Sequence, residues 1–342
     1  MKVVLMRMFV LICILLCGMG VSAQTPIPFV FSSVNGPPGG FGADLNGDGR
    51  GDIVTRSGSV FLGNADGTFT RAAAINIGTN VQFTVAALGD FTGDGKVDVL
   101  LDANQTFLYV LPGNGDGTFG SASTTNAGAQ LQEVQAIDLN GDGKLDVVGV
   151  PVSPNNGQLL VYLGNGDGTF RGGTSYTMFA GNAVGQLVVG DFNGDGKVDI
   201  AAAGYTPNAN GPVGVLLGHG DGTFGTVITS VGVNSPFGIG TADFNGDGKL
   251  DLLVAGTDFA NFVGETYLLA GNGDGTFQAP TIVAPGTGPL SVEDFNGDGK
   301  PDVMVWADPF IECVYGKRQR DIQSEGNVFE FISGCSIFRG DR

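Results

Sequence analysis

Histidine, tryptophan, cysteine and positive charge are all scarce in this chain of 342 residues. It contains one His, one Trp and four Cys, and it has 16 Lys and Arg against 34 Asp and Glu. The shortage of basic residues argues against a nucleic acid partner, because phosphates would repel so acidic a chain. So few histidines and cysteines provide little material for nucleophilic catalysis or for a transition-metal site.

Long apolar runs are missing beyond the first 23 residues. At the N-terminus, two basic residues precede the run "FVLICILLCGMG" and the small-residue stretch "VSA", an order typical of a secretory signal peptide. We therefore expect residues 1–23 to be a signal peptide cut after Ala23. The mature protein is then expected to be secreted, and to be extracellular or on the cell surface. A membrane anchor, for which the run is short, and a lipoprotein modified at Cys17 are the alternatives.

Glycine and aspartate are abundant instead, and they occur in repeated strings. The string "DFNGDGKVD" at residues 191–199 has near-copies every 46–53 residues, which we call the acidic loops. Their first residues are Asp44, Asp90, Asp138, Asp191, Asp243 and Asp294. A second string, "GNGDGTF" or a close variant, has the same period and is called the glycine turn. Its copies begin at Gly63, Gly113, Gly164, Gly218 and Gly271. Two strings with one period indicate a repeat architecture.

Each repeat of about fifty residues holds four short runs rich in Val, Leu, Phe and Tyr, bounded by Gly, Asn and Asp. Such runs predict strands and turns, and no sustained helical periodicity is present in the mature chain. Four strands in each repeat are typical of β-propeller blades. The predicted fold is an all-β propeller of four-stranded blades over residues 24–316, with six blades, or an incomplete set of seven.

The two ends of the chain bear on how such a propeller would close. Residues 317–342 lose the repeat and are expected to form an irregular C-terminal tail. The last repeat has a third strand at residues 311–316 and no convincing fourth strand. We therefore expect the N-terminal stretch 24–40 to supply that strand and to close a six-bladed ring. An open seven-bladed propeller that lost a blade is the alternative.

The acidic loop suits calcium, a hard cation that takes six to eight oxygen ligands. Alternate residues of a tight loop can turn inward, so positions one, three, five and nine offer side-chain oxygens and position seven a backbone carbonyl. Position two, as in Phe192, then points into the core. Up to six calcium ions are expected, and the candidate ligands are Asp44, Asn46, Asp48, Arg50 and Asp52; Asp90, Thr92, Asp94, Lys96 and Asp98; Asp138, Asn140, Asp142, Lys144 and Asp146; Asp191, Asn193, Asp195, Lys197 and Asp199; Asp243, Asn245, Asp247, Lys249 and Asp251; and Asp294, Asn296, Asp298, Lys300 and Asp302.

Two other interpretations of the acidic loop are weaker. Asn, Gly and Asp dominate turns that bind no ion, but such turns do not need three aspartates in every copy, whose charges would repel one another. An EF-hand needs Glu at position twelve and flanking helices, and position twelve here falls on residues such as Thr55 and Leu101 within predicted strands. Thr92 replaces Asn at position three, so that loop is expected to bind calcium least well.

The glycine turn is interpreted as a hairpin turn with positive φ, followed by a phenylalanine anchored in the core. A second ion site is the alternative. His219 stands where the other copies have asparagine, so it is interpreted as a turn variant.

Together, the acidic loops and glycine turns make the chain resemble the FG-GAP/VCBS-type repeats of bacterial secreted proteins, over about residues 25–307. It is also similar to the calcium-binding blades of integrin α-subunit propellers. The resemblance implies a propeller, usually of seven blades, with calcium between the first two strands of a blade. It further implies a role in adhesion, in carbohydrate binding or as a domain attached to an enzyme.

From these features we expect a calcium-binding module for adhesion to a surface glycan or an extracellular protein, acting as a monomer and without catalysis. A polysaccharide-acting enzyme or its accessory domain is the first alternative. Asp102, Asp258 and Glu265 are acidic residues outside the repeat pattern, yet the sequence pairs none of them as a glycosidase would require. A truncated fragment without activity is the second alternative.

Overall fold

The structure is a computed structural model, and strands joined by turns make up the part of the chain that it describes. The described residues are 40–78, 81–104, 106–152, 156–206, 209–258, 263–286, 291–294, 299–307, 310–316 and 329–332. They fall into two compact units, one with residues up to 177 together with 219–223, and the other with residues 178–218 and from 224 onward. No helix in the described ranges has the length and apolarity that a membrane crossing requires.

The first unit contains three antiparallel sheets of four strands, each paired in chain order. The first sheet is formed by β1 (Gly40–Ala43), β2 (Asp52–Thr55), β3 (Val60–Gly63) and β4 (Phe69–Arg71). The second is formed by β5 (Phe83–Gly89), β6 (Asp98–Ala103), β7 (Phe107–Leu111) and β8 (Ser123–Asn126). The third is formed by β9 (Leu131–Ile137), β10 (Asp146–Pro151), β11 (Gln158–Tyr162) and β12 (Thr174–Thr177).

The second unit repeats this arrangement. Its first sheet is formed by β13 (Ala183–Gly190), β14 (Asp199–Tyr205), β15 (Asn210–Leu216) and β16 (Ile228–Asn234). The next is formed by β17 (Pro236–Ala242), β18 (Asp251–Asp258), β19 (Val263–Leu269) and β20 (Thr281–Pro285). The last is formed by β21 (Ser291–Glu293), β22 (Asp302–Ala307), β23 (Phe310–Gly316) and β24 (Phe329–Ile332).

Sequence decides the position of each strand within its sheet. The second strand begins at the last aspartate of an acidic loop and continues as an apolar run, and every residue of β6 and β10 is buried. Strands buried on both faces read as continuous apolar runs in this way. The fourth strands, such as "STTN" in β8 and "TSYT" in β12, are polar, and their residues are exposed or half-buried. They therefore form the outer edges of their sheets.

Position two of each of the five fully described acidic loops is anchored in the core, as the sequence predicts. Leu45, Phe91, Leu139, Phe192 and Phe244 are at most 5 % exposed. In the first unit, Phe91 joins an apolar cluster with residues from β6, β7 and β10, and in the second unit Phe192 does so with residues from β14, β15 and β18. Burial of a whole aromatic or leucine side chain contributes about 1.5–3 kcal/mol, so these residues fix the base of each acidic loop.

The prediction of an all-β propeller with four-stranded blades is confirmed, but the predicted count of six or seven blades is not. Five blades, β1–β20, are described with their side chains, and β21–β24 add a four-stranded sheet described largely as backbone. The end of the chain also differs from the expectation. The sequence "FEFI" forms β24 and pairs with β23, so the tail itself supplies the fourth strand expected from residues 24–40. Apolar residues alternating with a charged one favour such a strand.

Three other expectations fall outside the described residues. These are the signal peptide at residues 1–23, nearly all of the N-terminal stretch 24–40, and the parts of the tail at 317–328 and 333–342.

Candidate functional site

In the acidic loops, the first aspartate accepts hydrogen bonds from the backbone of its own loop. Oδ1 of Asp191 accepts from the N–H groups of Gly194 at 2.7 Å and Asp195 at 3.1 Å, and Oδ2 accepts from the N–H of Gly196 at 2.8 Å. The same three bonds occur at Asp44, Asp90, Asp138 and Asp243. The two glycines of each fully described loop have positive φ, from 72° to 84°, a conformation that favours glycine.

Positions three, five and seven form a second layer of local bonds. Asn193 accepts from the N–H of Asp195 at 3.0 Å, and Asp195 accepts from the N–H of Lys197 at 3.0 Å. Lys197 Nζ also lies 3.3 Å from Asp195 Oδ2. Although desolvation acts to raise the pKa of Asp195, its hydrogen bonds and the charge of Lys197 hold that pKa below its ordinary value. The position-seven cation therefore neutralises part of the charge of the loop.

Thr92 departs from this pattern in a way that the sequence does not predict. Its hydroxyl donates to Asp98 Oδ2 at 3.0 Å, and its backbone N–H donates to the same oxygen at 2.9 Å. Asn at position three in the loops at Asp44, Asp138, Asp191 and Asp243 accepts from position five, and Asn245 also donates to its ninth-position Asp251 at 3.3 Å. Thr92 thus supports the ninth-position aspartate of its own loop.

The ninth-position aspartates are buried and join the acidic loop to the glycine turn of the same blade. Asp146 has no exposed surface. Its Oδ2 accepts from the N–H of Leu139 at 2.9 Å, and its Oδ1 from the N–H of Gly164 at 2.7 Å. Asp52, Asp98, Asp199 and Asp251 make the equivalent pairs of bonds. Burial raises the pKa of all five, and that of Asp251 to about 6.

The donor chemistry of the acidic loops fits a calcium ion. Each loop offers carboxylate and amide or hydroxyl oxygens, the ligands that calcium prefers. Burial is the main cause of the raised pKa of Asp146, and Asp142 and Asp138 raise it further, so the three charges repel one another at short range. A cation would relieve this repulsion.

The described conformation, however, does not gather the predicted ligands around one point. Within the described residues, no three carboxylate, imidazole or thiol side chains are close enough together to hold a metal. The carboxylates bind backbone N–H groups instead, so an ion would replace part of these bonds with metal–oxygen bonds. Asn296 and Asp298 of the sixth loop lie outside the described residues.

The glycine turn connects one blade to the acidic loop of the preceding blade. In the first unit, the N–H of Gly168 donates to the carbonyl of Phe91 at 3.0 Å, and the N–H of Gly117 to that of Leu45 at 3.2 Å. The ring of Phe170 lies edge-on to Phe91, with centroids 6.0 Å apart. The second unit repeats the contact, because Gly275 donates to Phe192, whose ring meets Phe277 at 6.0 Å. These contacts agree with the structural interpretation of the turn.

A group of charged side chains, two of them buried and one half-buried, breaks the repeat in the first unit. We call Arg56, Asp102 and Glu133 the polar cluster. Arg56 and Asp102 occupy the same repeat position, four residues after the last aspartate of an acidic loop, where later repeats have Val150, Ala203, Ala255 and Trp306. Asp102 and Glu133 are only 5 % and 4 % exposed. The sequence marks Asp102 as irregular, but Arg56 and Glu133 become visible only when the repeats are compared position by position.

Each member of the polar cluster has a buried polar atom without a hydrogen-bond partner. These atoms are Arg56 Nε, Asp102 Oδ1 and Glu133 Oε1. All three residues line one cavity of about 30 Å³, together with Phe41 and apolar residues of β5 and β9. The other oxygen of Asp102 accepts from the N–H of Leu131 at 2.9 Å, and the Arg56 guanidinium lies 5.9 Å from the ring centroid of Phe41.

Burial dominates the electrostatics of the polar cluster. It raises the pKa of Glu133 to about 8, although the positive charge of Arg56 acts in the opposite direction. Burial likewise raises the pKa of Asp102 to about 6, and the hydrogen bond from Leu131 opposes that change. A buried carboxyl without a full set of hydrogen-bond partners costs stability when it ionises.

We expect Glu133→Gln to remove a loss of stability at alkaline pH. Because the folded-state pKa of Glu133, about 8, lies above its ordinary value of 4.5, its contribution to stability is complete below that ordinary value. The contribution is lost as pH rises through the folded-state pKa. Glu133→Gln should therefore raise the free energy of unfolding by about 2 kcal/mol at roughly pH 9 and change it little at roughly pH 4, as measured by urea denaturation. The exposed control Asp66→Asn should show no alkaline gain, and an equal effect of Glu133→Gln at both pH values would contradict the expectation.

An open cleft lies beside the polar cluster in the first unit. It has a volume of about 740 Å³ and is lined by Ser57, Val81, Gln82, Phe83, Thr84, Asp102, Asn104 and Gln130. Asp102 and Thr84 line both the cleft and the smaller cavity. Asn104 has a positive φ of 50°, uncommon for a residue other than glycine. Of the sequence-predicted residues, only Asp102 belongs to this cleft.

Comparison with known proteins agrees with the blade architecture. A profile described as FG-GAP-like repeat matches residues 44–101, 99–149, 138–202 and 191–254, which together span more than half of the chain. Among the solved structures, 165 chains match. One of them, the structure of the Dos1 propeller, superimposes with a TM-score of 0.53 at 13 % identity and covers 84 % of this chain and 68 % of that chain. At such identity the likeness shows the fold alone. The search of curated proteins finds no match.

Proposed function

Because the chain belongs to the FG-GAP-like repeat family, we propose that it is a secreted, calcium-stabilised module for binding and adhesion. Its propeller blades support this proposal, since that fold suggests a binding module. The observation that carries the proposal is the acidic loop, repeated six times with oxygen donors at the same positions. The protein acts as a monomer by recognising a ligand, without catalysis of its own. Its ligand is a glycan or a protein outside the cytoplasm, and loops on a constant scaffold decide which one.

In this proposal, positions one, three, five and nine of each acidic loop supply side-chain oxygens to the ion. The ion provides positive charge where the loop concentrates carboxylates. Asp195, exposed at the tip of its loop, is free of the buried bonds that Asp199 makes to Phe192 and Gly218. Asp195 therefore responds to calcium with little structural cost, whereas Asp199 holds the loop whether or not an ion is bound. Thr92 already donates to Asp98, so its loop binds calcium least well.

Chelation of calcium is expected to lower the melting temperature markedly. Extracellular calcium modules bind with dissociation constants of about 10⁻⁴–10⁻³ M. At about ten times that concentration, linkage contributes about 1.4 kcal/mol per site. Six independent sites would then contribute about 8 kcal/mol, comparable with the whole stability of many domains. The measurement is calorimetric melting in excess EGTA, followed by addition of calcium or of magnesium.

Two variants serve as controls for the chelation experiment. Asp195→Ala should reduce the number of calcium ions bound by one, and Thr92→Ala should have a smaller effect on calcium-dependent stability. Recovery with calcium but not with magnesium is expected, since magnesium demands octahedral geometry and dehydrates reluctantly. Melting curves that coincide with and without EGTA would rule out calcium stabilisation.

A further inference from the structure

The polar cluster and its cleft provide a binding site that the repeated scaffold does not explain. The repeat position of Arg56 and Asp102 carries apolar Val150, Ala203 and Ala255 in later blades, where it is buried within a strand. Glu133 stands five residues before an acidic loop, where the preceding repeat has the apolar Val85 and the following repeat has the uncharged, hydrogen-bonded Gln186. A scaffold needs no charge at these positions, and burying unsatisfied polar groups costs about 1–3 kcal/mol each. Such a cost points to a functional reason for the cluster.

The three unpartnered atoms need partners from outside the protein. The cavity that their residues line has a volume of about 30 Å³, enough for one or two water molecules, each able to make about three hydrogen bonds. Because Asp102 lines both this cavity and the cleft, it joins the buried polar groups to the open surface. Because the free oxygen of Asp102 is itself buried, a molecule in the cleft would reach all three residues through water.

The walls of the cleft favour a ligand rich in hydroxyl groups. Ser57, Gln82, Thr84, Asn104 and Gln130 offer hydroxyls and amides that both donate and accept hydrogen bonds. A hydroxyl group also does both, so it matches such a surface better than a pure acceptor or a pure donor does. The half-buried ring of Phe83 adds an apolar surface among these polar groups, suited to the C–H face of a ring.

Charge excludes the other ligand classes. None of the described residues that line the cleft is basic, so a phosphate, sulfate or carboxylate group would find no cationic partner there. The guanidinium of Arg56 beside Asp102 and Glu133 disfavours a metal cation. An apolar ligand would cover the amides without giving them hydrogen-bond partners. We propose that the cleft at the polar cluster binds a neutral saccharide, with Asn104 and Gln130 as its direct hydrogen-bonding residues, Asp102 reached through water, and Phe83 as its apolar contact.

This inference rests on the proposed function, since it assigns the ligand class of the binding module. The test uses the full mature chain on an array of neutral oligosaccharides containing glucose, galactose, mannose or N-acetylglucosamine, with acidic and sulfated saccharides alongside. The neutral saccharide that binds best is then titrated by calorimetry against variants. Asn104→Gly removes the amide and tolerates the positive φ, while Gln130→Ala and Asp102→Asn alter the other two residues. Gln158→Ala, an exposed amide of the same unit outside the cleft, is the matched control.

We expect each cleft variant to weaken binding of the neutral saccharide at least about tenfold and Gln158→Ala to leave it unchanged. If Asp102→Asn unfolds, Asn104→Gly and Gln130→Ala still decide the matter. Binding only to acidic saccharides, no saccharide binding, or binding that the cleft variants do not alter would each overturn the inference. The chelation experiment separates the two proposals. An empty array with calcium-dependent melting rejects the saccharide site alone, and saccharide binding with melting that EGTA does not change rejects the calcium stabilisation alone.

Discussion

Replacement of Asp146 by alanine is expected to lower the free energy of unfolding by about 3 kcal/mol, even in excess EGTA. The carboxylate of Asp146 has no exposed surface, and it accepts from the N–H groups of Leu139 and Gly164. Its loss leaves both N–H groups without an acceptor in the interior, at about 1–3 kcal/mol each. The gain from no longer burying a charge offsets part of this cost. Urea denaturation measures the difference.

Asp142→Ala is the matched control because it removes a carboxylate from the same acidic loop. Asp142 is partly exposed and accepts from the N–H of Lys144, whose ammonium lies 3.8 Å away. Exposed pairs of this kind contribute at most about 1 kcal/mol, so in EGTA this variant should be nearly as stable as the wild type. In calcium it should lose the stabilisation from one site. Equal losses for the two variants in EGTA would show that Asp146 has no special structural role.

The strands and turns could be predicted from the sequence because they depend on neighbouring residues. A run such as "DVVGV" at the start of β10 predicts a strand, and a turn such as "GNGDGTF" predicts a hairpin turn, in every repeat where it occurs. The anchoring of Phe192 follows in the same way from its place between polar neighbours. Repetition strengthened these predictions, since one interpretation had to fit all copies.

Contacts between repeats could not be predicted in this way. The sequence indicates that Asp146 is an oxygen donor, but its two N–H partners depend on how the loop packs against the glycine turn of its blade. The polar cluster joins residues from three successive repeats, Arg56, Asp102 and Glu133, which no local pattern connects. The strand β24 follows a stretch without repeat character, so the spacing of earlier strands gave no means to place it.

Gly164→Ala is expected to lower the free energy of unfolding by about 3 kcal/mol, through a clash with the backbone. A Cβ atom at Gly164 would lie 2.2 Å from the carbonyl oxygen of Leu145, in the acidic loop of the same blade, and 3.1 Å from its carbonyl carbon. Real Cβ atoms do not approach an oxygen so closely, and a backbone carbonyl cannot rotate away as a side chain can. The turn and the acidic loop would have to separate, which also disturbs the bond from the N–H of Gly164 to Asp146.

The control for this clash is Gly172→Ala, eight residues farther along the chain. A Cβ atom at Gly172 would have no neighbour within 4 Å. The substitution should therefore be neutral, or should stabilise the protein by about 0.5 kcal/mol by restricting the unfolded chain. The equivalent glycines, Gly113 and Gly271, lie against Val97 and Leu250 with Cβ–oxygen distances of 2.1 Å, so alanine there should cost a similar amount. Urea denaturation of the variants compares them. Equal stabilities for Gly164→Ala and Gly172→Ala would contradict the close packing of the glycine turn against its acidic loop. They would also contradict the role of Asp146 in holding the turn and the loop together.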